Sequence, residues 1–328
     1  MKKYGKRVLV AFAALLLVVL AAGCSGSGKS SDKATLKIGI IQYMDHVALD
    51  NAREGFVKAL ADNGYVDGNN IKIDLQNAQG DQSNLSSISD RFVSNKEDLI
   101  LAIATPATQA VAGKTTEIPI LATAVTDYVS ARLVDSNEKP GGNVSGTSDM
   151  NPVKEQIDLL VKLVPAAKTV GVLYTSSEVN SVTQAQMAKK AIEALGLKYV
   201  EVTISNSNDV QQATQTLVGQ CDAIYIPTDN VLASAMPQVH SVTAQSKTPV
   251  ICGESSMLEG GGLATLGINY SDLGYQTGLM AVKILKGEAK PATMPIETAT
   301  KFDFKINGAI ADELGIAIPA DLQQYVTK

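Results

Sequence analysis

Leu36–Gln42 (LKIGIIQ) and Thr169–Tyr174 (TVGVLY) decide the reading of this chain, because the second repeats the first. Each is a short apolar run of β-branched residues with one Gly, the pattern of a strand buried on both faces. Each is followed by an amphipathic stretch that ends in Gly. Asp50–Asn63 carries Ala52, Phe56, Ala59 and Leu60 at helical spacing before Gly64, and Val182–Leu195 stops at Gly196. Outward from these pairs the order continues in parallel. Strands are predicted at Ile71–Leu75, Asp98–Ala104 and Ile118–Ala124, with helices at Leu85–Asn95 and Ala107–Lys114. The second series has strands at Tyr199–Ile204, Asp222–Ile226 and Thr248–Gly253, with helices at Val210–Val218 and Leu232–Ala244. A period of roughly 130 residues is too long for a solenoid. It predicts an α/β chain of two similar doubly wound parallel-sheet lobes.

A helix at Gly278–Lys286, a strand at Phe302–Ile306 and a short helix from Ala309 complete the chain. Two-lobed chains of this kind cross between lobes more than once. The expected division is therefore 36–145 with 268–300 for the first lobe, and 146–267 with 301–328 for the second. Composition agrees with a globular body: 328 residues, 45% hydrophobic, 19% charged, formal charge −5, three Cys and no Trp. Such a chain is not a disulfide scaffold, a disordered polymer or a multi-span membrane protein, and its acidity argues against a nucleic-acid partner.

Residues 1–23 read as an export signal. Lys2, Lys3, Lys6 and Arg7 precede the apolar run Val8–Ala22, which is shorter than the roughly 20 residues that span a bilayer. Ala21-Ala22-Gly23-Cys24 resembles the lipobox of bacterial lipoproteins, with Leu20 one place early. The resemblance implies lipidation of Cys24 and an extracytoplasmic chain held to the cell membrane through its anchor alone. Residues 24–35, rich in Ser and Gly, are then a flexible tether. Gly23–Ser30 (GCSGSGKS) matches the phosphate-loop pattern, but no strand precedes it and no amphipathic helix follows, so nucleotide binding is rejected.

Ligands of open parallel sheets sit beyond the carboxyl ends of the strands, and here those ends are polar. They are Tyr43–Asp50 (YMDHVALD), Asn77–Asp81 (NAQGD), Thr105, Thr126 with Asp127, Tyr174–Ser181 (YTSSEVNS), Thr228–Asn230 and Gly253–Ser255. The same segments resemble the ABC-transporter substrate-binding lipoproteins of the tryptophan/tyrosine-binding family. The matching stretches are HVALD at 46–50, NAQGD at 77–81, ATPATQA at 104–110, AVTD at 124–127 and GGNVSGTSD at 141–149. EVNSV at 178–182, PTDN at 227–230 and INGAIADELGIAIP at 306–319 complete them. Asp45, Val47 and Tyr128 depart from the family pattern, where Glu, Pro and Pro are usual, and all three are expected at the cleft. The resemblance implies a type I periplasmic-binding-protein fold with a hinge, an aromatic amino acid as ligand, an ABC permease as partner, and a monomer without cofactor.

The residues suit such a ligand. Asp229, Glu254 and Asp127 are acceptors for an α-ammonium, and Thr105, Ala107, Thr126 and Ser181 offer donors for an α-carboxylate. Tyr43, His46, Tyr174 and Tyr270 are ring-lining candidates. Asp50, Asn77, Gln79, Glu178, Asn180 and Asn230 complete the predicted site. Asp50 and Asn77 serve equally well as helix caps.

Enzyme signatures are missing: no G-x-S-x-G, H-E-x-x-H or G-x-G-x-x-G occurs. His46 and His240 stand alone, the latter expected on a helix surface, so neither a triad nor a metal site is expected. Cys221 and Cys252 are expected as free thiols at opposite ends of neighbouring strands. A sensor or adhesin without transport, and a binder of another small polar solute, remain open alternatives; sugar sites commonly stack Trp, and this chain has none.

Overall fold

The computed structural model describes residues 35–299 and 301–327. The predicted signal, Cys24 and nearly all of the tether lie outside the described residues. In the first lobe, β1 (Leu36–Gln42) leads to α1 (Val47–Asp62), β2 (Ile71–Asn77), α2 (Gln82–Asn95), β3 (Leu99–Ile103), α3 (Thr105–Ala112), β4 (Ile120–Val125) and β5 (Val144–Ser148). In the second lobe, α4 (Val153–Leu163) precedes β6 (Thr169–Thr175), α5 (Val179–Ala194), β7 (Lys198–Ile204), α6 (Val210–Val218) and β8 (Ala223–Ile226). Then come α7 (Asn230–Ser234), α8 (Met236–Ser246), β9 (Val250–Cys252) and β10 (Ala264–Gly267). The chain ends with α9 (Tyr270–Leu285), β11 (Glu297–Thr298), β12 (Asp303–Asn307), α10 (Gly308–Leu314) and β13 (Val326–Thr327).

The first sheet has the order β11-β5-β4-β3-β1-β2 and is parallel throughout. The second has the order β13-β12-β10-β9-β8-β6-β7, with β12 antiparallel to β10. Strands 2-1-3-4-5 of one sheet thus correspond to 7-6-8-9-10 of the other. Ile38, Ile40 and Ile41 are fully buried because helices cover both faces of the first sheet. Val170, Val172 and Tyr225 occupy the equivalent core.

Several elements differ from expectation. β5, α4 and β10 were not predicted, and β5 carries the first sheet to Ser148, beyond the expected break at 145. The helix predicted at Leu232–Ala244 is two helices that meet at Ala235, because Pro237 lacks the N–H that continuity would use. α9 starts at Tyr270 rather than Gly278. Asn269 caps it by accepting from Asp272 N at 3.1 Å, and Gly274 and Gly278 lie inside the helix. Both described thiols are free, Cys252 buried in β9 and Cys221 half-buried.

Candidate functional site

The carboxyl ends of both sheets meet around a tight, polar cavity. The first lobe contributes His46, where β1 hands over to α1, and Ala124 and Thr126 at the end of β4. Beyond β5, Asp149 accepts from Thr126 Oγ1 at 2.8 Å and from the Tyr270 hydroxyl at 2.7 Å. Left-handed backbone recurs at the strand exits of the first lobe, and at Ala124 it reaches the cavity. Gln79, Ala104 and Ala124, at the exits of β2, β3 and β4, all have positive φ, of 56°, 83° and 55°. At β4 this conformation accompanies a register shift against β5 between Ala122 and Val125.

The second lobe contributes Asn180, Thr228, Asp229, Asn230, Ala233 and Glu254. Asp229 caps α7 through Leu232 N at 2.9 Å and takes Thr175 N at 2.6 Å and Thr175 Oγ1 at 2.8 Å. Glu178 Oε2 accepts from Asn230 Nδ2 at 2.5 Å and Asn180 Nδ2 at 3.1 Å. Glu254 accepts from Ser256 N and Oγ, both at 2.6 Å. The lobes touch where His46 Nε2 lies 3.2 Å from Asn230 Oδ1 and where Gln184 Nε2 donates to Thr126 Oγ1 at 3.4 Å.

The site is electrostatically unbalanced. Asp149, Glu178, Asp229 and Glu254 are all buried, and among the described residues no Lys or Arg lines the cavity. Burial pushes all four carboxyls upward. Glu254 reaches about 7, and the charge of Asp229 adds to the rise at Glu178. A cation placed among them would relieve that desolvation. Hydrogen bonding is unbalanced too. The buried side-chain atoms without a partner, among the described residues, are His46 Nδ1, Thr105 Oγ1, Asn151 Oδ1, Glu178 Oε1 and Asn180 Oδ1. His46 and Asn180 line the cavity, Glu178 and Asn151 bond to residues that line it, and Thr105 heads α3. Buried polar atoms are normally paired, so this cluster of exceptions leaves hydrogen-bonding capacity for water or solute atoms.

Of the predicted site residues, His46, Thr126, Asn180, Asp229, Asn230 and Glu254 converge here. Glu178 and Ser181 stand directly behind them, Ser181 Oγ accepting from Asn180 Nδ2 at 3.2 Å. Tyr43 is buried, and the charges of Glu178 and Asp229 add to burial in raising its hydroxyl. Thr105 and Ala107 are buried at the start of α3.

The remaining predicted residues do other work. Asp50 pairs with Arg53 at 2.7 Å and accepts from Gln42. Asn77 and Gln79 form a turn, Gln79 N donating to Asn77 Oδ1 at 2.8 Å, and both side chains donate to Asp45. Asp127 caps a turn through Val129 N and Ser130 N, both at 3.0 Å, and Tyr174 donates to Glu201 on β7. Asn and Asp satisfy backbone N–H groups as readily as ligands, and that local use prevails at Asn77 and Asp127. Val47 is exposed at the start of α1, and Tyr128 is fully buried behind β4 rather than in the cavity. His240 is half-buried, 3.5 Å from Glu313.

Asp149, Leu49 and Ala233 were absent from the predicted site, and Tyr270 entered only as a ring-lining candidate. Asp149 escaped because β5 itself was unrecognised. The alternation in VSGTS after the Gly141-Gly142-Asn143 turn is the signal that locates both.

Comparison with known proteins agrees with this architecture. The family model for ABC transporter substrate binding proteins matches residues 37–328. A tyrosine-binding protein of Clostridioides difficile is 44% identical over 94% of this chain and 91% of its own length. An ABC domain from Streptococcus pneumonia in complex with L-Trp superposes with a TM-score of 0.87 at 40% identity, over 90% of this chain and 100% of that one. The ligand-free, open structure of a substrate binding protein with adhesive properties from Clostridium difficile is 49% identical over 89% of this chain and 99% of that one. Its TM-score is only 0.69. The chain thus superposes better on the L-Trp complex than on the open structure, although it is more nearly identical in sequence to the latter. With a type I periplasmic-binding-protein fold and a family match across its whole described body, the chain belongs to the ABC transporter substrate-binding protein family.

Proposed function

We propose that this chain is an extracytoplasmic binding protein, anchored through a lipid on Cys24, that delivers an aromatic amino acid to an ABC importer as a monomer. The observation that carries the ligand class is the cavity itself, with its buried carboxyls, no Lys or Arg among the described residues that line it, and a cluster of unpartnered polar atoms. An α-ammonium answers the carboxyls of Asp229, Glu254 and Asp149, and an α-carboxylate answers the unpartnered hydroxyl of Thr105. The tyrosine-binding relative and the L-Trp-bound neighbour support an aromatic side chain. In this reading the solute bonds to both lobes and stabilises their closed arrangement, and the permease distinguishes closed from open. The hinge is formed by the segments that join the two sheets, after Ser148, after Gly267 and after Thr298.

The chain has no Trp, which supplies the test. Excited at the red edge of tyrosine absorption, the protein alone is nearly dark, so bound tryptophan reports its own burial. Blue-shifted emission that saturates at one equivalent is the expected result for a tryptophan binder. A dark titration combined with a thermal shift by tyrosine reassigns the ligand to tyrosine. Silence towards Trp, Tyr and Phe alike refutes the reading. A role in adhesion without transport is favoured by the adhesive relative. Loss of aromatic amino-acid uptake on deletion of the gene decides for transport, and loss of attachment alone decides for adhesion.

A further inference from the structure

His46 and Asn230 join the two lobes inside the cavity, and the direction of their hydrogen bond follows from the far end of the amide. Asn230 Nδ2 stands 2.5 Å from Glu178 Oε2, which also takes the Asn230 backbone N–H at 3.3 Å and Asn180 Nδ2 at 3.1 Å. An oxygen that already receives two donors is an acceptor. The amide nitrogen of Asn230 therefore faces Glu178 and its oxygen faces the imidazole. Turning the amide over would press oxygen on oxygen. The orientation survives protonation of the carboxyl, because the proton then takes Oε1, the oxygen without a partner. Since Asn230 Oδ1 accepts at 3.2 Å, Nε2 of His46 carries the hydrogen. Burial holds the ring neutral, lowering its pKa against the raising influence of the Asn230 bond, Asp50 and Asp45. A neutral ring with its hydrogen on Nε2 has a bare lone pair on Nδ1. That atom is buried and unpartnered in a side chain that lines the cavity.

We propose that Glu178, acting through Asn230, is a positioning residue that sets His46 in the Nε2–H tautomer, so that Nδ1 accepts a hydrogen bond from an N–H or O–H of the bound solute. This rests on the amino-acid reading of the cavity and sharpens it: a donor of the ligand, and not its carboxylate, faces His46. The donor is either the α-ammonium or a polar hydrogen on the aromatic ring.

The chain has two histidines, so ring-nitrogen NMR of the full protein resolves both, and His240→Gln assigns them. The expected spectrum has a pyrrole-type Nε2 and a pyridine-type Nδ1 at His46. A protonated Nδ1 in the wild type overturns the assignment. Glu178→Gln keeps an acceptor facing Asn230 without the charge and retains the tautomer. Glu178→Met removes the acceptor, mixes the tautomers and weakens binding about tenfold. An unchanged ring spectrum in Glu178→Met overturns the positioning role. Should that variant fail to fold, Asn230→Leu, which removes the link between Glu178 and the ring, takes its place, and an unchanged ring spectrum there overturns the role.

His46→Leu removes the Nδ1 acceptor together with the bond to Asn230. Collapse of an approximately tenfold preference for tyrosine over phenylalanine identifies a ring donor. Collapse of the preference for tyrosine over its deaminated analogue identifies the ammonium. If neither preference falls, Nδ1 accepts nothing from the solute and the proposal is refuted. If no aromatic amino acid binds at all, the amino-acid reading fails, while the ring spectrum of the free protein still decides the tautomer.

Discussion

Tyr128 sits two residues past Thr126, and its hydroxyl donates to two carbonyls, Ala122 O at 2.9 Å and Thr147 O at 3.0 Å. It thereby ties the bulged end of β4 to β5, the strand that delivers Asp149 to the cavity. Gly146 makes room for it: a Cβ there would lie 2.6 Å from the Tyr128 hydroxyl and 1.9 Å from Ala122 O, and its φ of +148° suits Gly. Tyr128→Phe leaves both carbonyls without this donor in a fully buried place. The expected loss is about 1–3 kcal/mol, read as a lower urea midpoint at unchanged slope. A midpoint within error of the wild type would show that the hydroxyl does not hold the bulge. Tyr128 was expected at the cleft because of its place beside Asp127. Only its packing shows that it works from behind the sheet.

Among the elements, α1 and α9 approach so closely that side chains are excluded from part of their contact. A Cβ on Gly274 would come within 1.9 Å of Ala52 O, and one on Gly55 within 2.1 Å of Ser271 O. Intrinsic propensity favours Ala over Gly in a helix interior by about 1 kcal/mol, yet here the clash is with backbone, which cannot rotate away. Gly274→Ala is therefore expected to destabilise by about 1–3 kcal/mol after that gain is subtracted. Thermal or urea unfolding measures it, and a stabilised variant would show that the helices can separate at no penalty. The same glycines explain why sequence reading started this helix at Gly278. They look like punctuation, and their purpose exists only in the partner helix. By contrast β1, β6 and α6 were legible because their burial pattern is local: a continuous apolar run, or apolar residues at helical spacing.

At the scale of the whole molecule, the buried carboxyls couple stability to pH. Glu254 rises from an ordinary value near 4.5 to about 7, and Asp149, Glu178 and Asp229 are raised as well. A carboxyl raised on folding binds its proton more tightly in the native state, so stability is greatest below the unfolded value and falls as pH climbs through the folded one. His46 acts in the opposite sense, its lowered pKa favouring the fold as pH rises, but it is one group against four and acts only below about 6.5. Without solute, stability is expected to decrease from about pH 5 to about pH 7.5, with Glu254 contributing on the order of 3 kcal/mol. Glu254→Gln should flatten the curve, and a wild-type curve that rises over this interval would exclude the mechanism. A cationic group held among the carboxyls opposes the trend, which joins this property of the folded chain to the solute it receives.

The two lobes, their doubly wound plan, and the polar strand exits from which His46, Thr126, Asn180, Asp229, Asn230 and Glu254 come are legible in the order of residues alone. Those follow from hydrophobic periodicity and from the rule that parallel strands end at the ligand. Which exits face each other emerges with the packed lobes, where Asp50, Asn77 and Asp127 take local bonds and Tyr174 reaches Glu201 on the neighbouring strand. The same packing brings Asp149 and Tyr270 into contact across 121 positions of chain. The reason is physical. A cap or turn is settled by neighbours in sequence, whereas a cavity wall is settled by burial of charge and by hydrogen bonds between segments that meet only when both sheets are formed.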